Sequence, residues 1–159
     1  MTFPVDDELL AAVDAIGTTT WTGTAWRHTG PKRNPFSGEG ARLFGGRWNP
    51  PDLASTLYLA TDQEGCLLEF ARMAEGQGRG TASFLPRRIT EFRAEGLELV
   101  DLRQPEHLPA VGRDREDLTA DDWTPFQRVG AAAHFLRTAG IIARSLSGLV
   151  TPSPCSRPA

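Results

Sequence analysis

Cysteine, histidine, long apolar runs and excess positive charge are scarce in this chain of 159 residues. The two cysteines, Cys66 and Cys155, form neither a metal-ligand spacing nor a disulfide framework, and a reducing cytoplasm is the expected compartment. His28, His107 and His134 are too scattered for a zinc site, so no metal is expected. No stretch approaches the roughly 18 apolar residues of a membrane span. Asp6 and Asp7 stand where a signal peptide needs a basic start and an apolar run. The formal net charge of −3 argues against direct nucleic-acid binding. Nucleotide and acyl-transfer motifs are missing as well. There is no Gly-Lys-Ser/Thr of a P-loop, no dinucleotide fingerprint spacing, and no Gly-x-Ser-x-Gly elbow.

What is present is concentrated in Ser37-Gly-Glu-Gly-Ala-Arg-Leu-Phe-Gly-Gly-Arg-Trp-Asn-Pro50, with four glycines and two arginines in fourteen residues. Such a loop can turn its N–H groups and the forked donors of Arg42 and Arg47 toward an anion. Trp48 adds a flat face, Asn49 a donor and an acceptor, and Ser37 a hydroxyl. A glycine-rich turn with solvated arginines is the plainer reading; the density of features favours a site for a phosphorylated ligand.

The length suits one domain. Asp6 to Ile16 is predicted as an amphipathic helix with Leu9, Leu10, Val13 and Ile16 on one stripe. Thr18 to His28 reads as one strand or two short ones and ends in Trp26-Arg27-His28. Thr56 to Ala60 is a short buried strand containing Tyr58, and Thr61 or Asp62 is a candidate N-cap of a helix to about Glu75. Its apolar stripe is Cys66, Leu67, Phe70 and Met73, which makes Cys66 core and puts Glu69 at the stripe's border. Arg88 to Arg93 and Leu97 to Leu102 read as two strands joined near Glu95-Gly96. A short helix near Glu106 to Val111 and one starting in Asp121-Asp122-Trp123-Thr124 and running to about Thr138, with Gly140 as its stop, precede a strand at Ile141. The fold class is α+β: a single compact domain with a small mixed sheet flanked by helices, without regular βαβ alternation. Three prolines in the last eight residues point to a disordered tail after Val150.

Three residues stand out for chemistry. Arg27 could converge with the glycine-rich segment on one anion. Tyr58 could stack on a base or donate from its hydroxyl, or serve only the sheet. Glu69 could be a solvated surface carboxylate, or project into a cleft and there orient a nucleophile or stabilise a cation.

Trp26-Arg27-His28, Ser37-Gly-Glu-Gly-Ala-Arg42, Gly45-Gly-Arg-Trp-Asn-Pro50, Leu57-Tyr-Leu-Ala60 and Leu68-Glu69, in this order and spacing, resemble the RES domain. The likeness runs from about residue 5 to residue 143 and is strongest to the mycobacterial MbcT-type toxins of that family. It implies a core similar to that of ADP-ribosyltransferases. It implies the toxin of a bacterial type II toxin–antitoxin pair, partnered by an Xre-like antitoxin, with a homo-oligomer left open. It implies degradation of NAD by cleavage of the nicotinamide–ribose bond, with water or inorganic phosphate as acceptor. A non-catalytic domain binding an antitoxin or a nucleotide, and an ADP-ribosyltransferase acting on a protein, are the alternatives.

Carried over by position, the family arginine falls on Arg27 and the glutamate on Glu69. The serine falls on Thr124, with Ser145 as second choice. Arg47 and Tyr58 match pocket positions, and His28 stands where the MbcT type has tyrosine. On this reading Arg27, Glu69 and Thr124 are catalytic, and His28, Ser37, Arg47, Asn49 and Tyr58 bind NAD. The resemblance also implies a domain over residues 1–150, shortened at its C-terminus, and a proline-rich tail over 151–159.

Overall fold

The computed structural model describes residues 5–144 and the backbone of 149–152. Helix α1, Asp7–Ile16, starts where expected, because the Asp6 carboxylate accepts from the Glu8 and Leu9 N–H groups. Strand β1, Thr19–Thr29, follows. The glycine-rich segment contains a short helix, α2, Glu39–Phe44, which corrects the expectation of loop throughout. Strand β2, Thr56–Leu59, leads into helix α3, Gln63–Gly76, capped by Asp62 on the Gly65 N–H at 2.5 Å.

The hairpin expected at Glu95-Gly96 does not form. Arg88 to Asp101 is one continuous strand, β3, antiparallel to β1 over its whole length. The register shifts between Trp21 and Gly23 of β1, where Glu95 and Gly96 of β3 face the single residue Thr22. Gly96, at φ 61°, is thus the left-handed residue of a bulge, and its N–H is held by the Thr22 hydroxyl at 2.9 Å.

Beyond the short helix α4, His107–Ala110, come α5, Thr124–Phe135, and strands β4, Gly140–Ile142, and β5, Leu149–Pro152. Helix α5 stops at Leu136 with Arg137 left-handed, and Gly140 opens β4 rather than ending the helix. Strand β5 extends to Pro152, two residues past the expected start of the tail, and lies inside the sheet. There β5 has β2 alone as neighbour, because β4 pairs only with Leu149 and Val150, so Pro152 meets a partner strand on one side, as a proline at a sheet edge does.

The sheet order is β1-β3-β4-β5-β2, mixed because only β3 and β4 run parallel. One core holds Val13, Trp48, Val100, Phe126, Val129 and Ile141 between the sheet, α1 and α5. A second holds Ala25, Leu57, Leu59, Leu99 and Ile142. Leu99 and Ile142 serve one core and Val100 and Ile141 the other, so here each strand is apolar on both faces. The two outer strands also meet. Trp26 and Ala60 exchange backbone hydrogen bonds at 2.8 Å each, so the sheet curls until β1 touches the end of β2. No helix of the described residues is long and apolar enough to cross a membrane.

Candidate active site

The seam between β1 and β2 positions the site. β1 delivers Trp26, Arg27 and His28, β2 delivers Tyr58 and Leu59, and α3 starts just past Ala60 and packs on β1. Within α3 the buried stripe is Cys66, Phe70 and Ala74; Leu67 stands out of it, about half exposed. Glu69, three residues on from Cys66, therefore points to the edge of the buried face. These elements enclose a cavity of about 200 Å³ lined by Trp26, Arg27, His28, Tyr58, Cys66 and Glu69. Four of the residues singled out by the sequence, Arg27, His28, Tyr58 and Glu69, thus share one pocket.

Their electrostatics are unusual. Burial pushes the Glu69 carboxyl up to about 7 against the opposing pull of Arg72 and Arg47. Arg72 is 3.6 Å away, too far for a hydrogen bond, and Glu69 Oε1 is buried with no hydrogen-bond partner among the described residues. The Trp26 indole N–H is another buried group without a partner. Arg27 anchors the loop after β1 through Nη1, which donates to the Pro35 carbonyl at 2.5 Å and the Ser37 carbonyl at 2.9 Å. Burial and the charge of Arg87 lower its pKa. Burial, Arg87 and Arg27 push His28 down to about 4, so its ring is neutral at physiological pH.

The Gly-Gly-Arg-Trp-Asn-Pro block is built differently. Gly46 and Asn49 pair across a tight turn, and the Tyr58 hydroxyl enters it. That hydroxyl accepts from the Trp48 N–H at 2.9 Å and donates to Asn49 Oδ1 at 2.6 Å. A Cβ on Gly46 would collide with the phenol, which is the reason for glycine there. Burial raises the pKa of Tyr58. Asn49, expected to touch ligand, is only 3 % exposed and gives its amide N–H to the Ala41 carbonyl at 2.8 Å, so it holds the turn and does not line the cavity. Trp48 is buried edge-on against Phe126 at 5.0 Å. Arg47 does not line the cavity and reaches it only by its charge. It stacks 5.7 Å from Trp123 and 5.8 Å from Phe126, donates to the Ala120 carbonyl at 3.1 Å, and acts electrostatically on both Glu69 and Tyr58.

The remaining expected residues lie elsewhere. Ser37 contributes its carbonyl to Arg27, and its hydroxyl accepts from the Glu39 N–H at 3.4 Å. Arg42, offered as an anion donor, is on the surface in ion pairs with Glu39 and Asp52. Thr124 is exposed at the first turn of α5 and lines a separate groove of about 570 Å³ with α1 and α4. Ser145 is outside the described residues. Sequence reasoning missed Arg87, which backs His28, and Cys66 as a lining residue. Nothing in the periodicity around Leu85-Pro86-Arg87-Arg88 signals such a role. Among the described residues no cluster of His, Cys, Asp and Glu could hold a metal ion.

Residues 24–153 match the RES domain family. The chain is 38% identical over 151 residues to proteins named NAD(+) phosphorylase MbcT, from Mycobacterium bovis and Mycobacterium tuberculosis, covering 94% of this chain and 81% of each relative. It is also similar to the crystal structure of the M. tuberculosis MbcT–MbcA toxin–antitoxin complex, at a TM-score of 0.92 and 37% identity over 98% of this chain and 87% of that one.

Proposed function

Because the chain belongs to the RES domain family, we propose that it is an NAD phosphorylase, the toxin of a toxin–antitoxin pair. The observation that carries this reading is Glu69: a carboxyl whose Oε1 is buried without a hydrogen bond, held only by an ion pair to Arg72 at 3.6 Å, at the wall of a cavity shared with Arg27. Breaking the bond between ribose C1′ and the nicotinamide nitrogen sends the electron pair to nicotinamide, which leaves neutral, and builds positive charge on the ribose. The free oxygen of Glu69 faces that charge or holds a ribose hydroxyl, and its carboxylate form stabilises the oxocarbenium-like state. Arg27 and Arg47 neutralise the pyrophosphate and the incoming phosphate, whose oxygen bonds to C1′ to give a phosphorylated ADP-ribose. Tyr58, with its hydroxyl held inside the turn, acts in binding by its ring face. The partner on this reading is an antitoxin with an Xre-like DNA-binding part, and the site of action is the cytoplasm.

The test is NAD consumption by the purified protein with and without inorganic phosphate, with products resolved. Phosphate-dependent loss yielding phosphorylated ADP-ribose is expected. Equal loss without phosphate makes the enzyme a hydrolase, and label transferred from NAD to protein makes it a transferase. Folded protein that leaves NAD intact in both conditions overturns the reading.

A further inference from the structure

Arg87 stands immediately before β3 and reaches back to β1. Its Nε and Nη2 lie 3.0 and 2.9 Å from His28 Nδ1. The guanidinium is fixed there by its stack on Phe70, at 5.4 Å, and by a contact of Nη2 with Met73 Sδ at 3.5 Å. The His28 ring leans on the same Phe70 at 5.5 Å. Arginine has donors and no acceptor, so the nitrogen it faces must present a lone pair. A proton on Nδ1 would point donor at donor.

We infer that Arg87 is a positioning residue for His28: it fixes the ring as the neutral tautomer with its proton on Nε2, offered to an acceptor oxygen of the bound nucleotide. The nucleotide part of this inference rests on the proposed NAD chemistry; the tautomer does not. His28 lines the cavity, and Nε2 has no partner among the described residues, nor is it one of the buried orphan atoms. The charged and titratable groups around the ring are Arg87, Arg27 on its own strand, and Glu69 and Cys66 of α3 across the cavity. Both cations disfavour a second proton on the ring, in keeping with its low pKa. The site therefore keeps a neutral donor at this position across the physiological range, and Arg87 sets which nitrogen carries the proton.

The experiment is nitrogen-15 NMR of His28 in the whole protein at about pH 7. A bare Nδ1 and a protonated Nε2 are expected. A proton on Nδ1, or a doubly protonated ring, overturns the inference, and this measurement needs no variant to fold. Arg87→Met keeps the packing on Phe70 and removes the donors. In it, His28 should titrate higher than in wild type but still below the ordinary value of about 6.5, because burial and Arg27 remain, and with mixed tautomers. kcat/KM for NAD should fall about 3–10-fold, mostly through KM, the size of one hydrogen bond. Arg87→Lys should recover part of both. Unchanged nitrogen shifts in Arg87→Met overturn the inference. If wild-type protein consumes no NAD, the proposed function fails, while the nitrogen shifts still decide the role of Arg87.

Discussion

The Gly45–Pro50 turn and the cavity at the β1–β2 seam are both rich in polar and aromatic groups, and they use them in opposite ways. In the turn, the Asn49 amide, the Tyr58 hydroxyl and the Gly46 carbonyl, which accepts from Gln127 at 3.0 Å, are all paired. The Trp48 indole N–H is its one buried orphan. In the cavity, Glu69 Oε1 and the Trp26 N–H are buried without partners, and Glu69, His28 and Arg27 all have shifted pKa values. Satisfied polar groups make the turn a clamp; unsatisfied ones make the cavity a place for a ligand. Glycine and arginine density marked the clamp, whereas incomplete pairing marks the site. Tyr58 belongs to both, with its ring at the cavity and its hydroxyl in the turn.

This contrast can be broken most severely from the clamp side. Gly130 of α5 passes the clamp so closely that a Cβ would be driven into the Trp48 carbonyl. Gly130→Ala should therefore cost about 3 kcal/mol of stability by urea denaturation, through overpacking. Tyr58→Phe strands the Trp48 N–H and Asn49 Oδ1 and should cost about 2 kcal/mol in the same assay. A loss near zero would mean that water replaces the phenol and that the clamp is not what it holds.

The cavity side is sharpened by pH. Glu69 has a folded pKa raised to about 7, so its favourable contribution is complete below the unfolded value and is lost as pH rises through 7. Glu69→Gln should raise the thermal midpoint by a few degrees at about pH 8 and leave it unchanged at about pH 4.5. The opposite sign would mean that the ion pair with Arg72 outweighs the cost of burial. The smallest effect is expected from Arg42→Ala. Its ion pairs with Glu39 and Asp52 are on the surface, so neither the thermal midpoint nor NAD turnover should change measurably.

Much of the scaffold was legible because local chemistry decides it. Asp6 and Asp62 cap α1 and α3, within a residue of where the sequence places the two helix starts. Gly96 was misread because its left-handed backbone serves a turn or a bulge alike, and only the distant partner strand β1 decides which. Arg27, Tyr58 and Glu69 were legible as site candidates. Asn49, expected to touch ligand, has its amide claimed by Tyr58 and Ala41, contacts that no spacing encodes. Arg87 was invisible because its partner lies 59 positions away.

The central claim is that the buried carboxyl of Glu69, with one oxygen lacking a hydrogen bond, carries the chemistry rather than the glycine-rich turn. It is tested most directly by the NAD turnover of Glu69→Gln beside wild type, both shown to be folded, in the same phosphate-containing assay. A fall of about 100-fold or more in kcat with KM little changed is expected from loss of a transition-state carboxylate. Turnover within a factor of about two of wild type would contradict the account and move the chemistry away from this cavity.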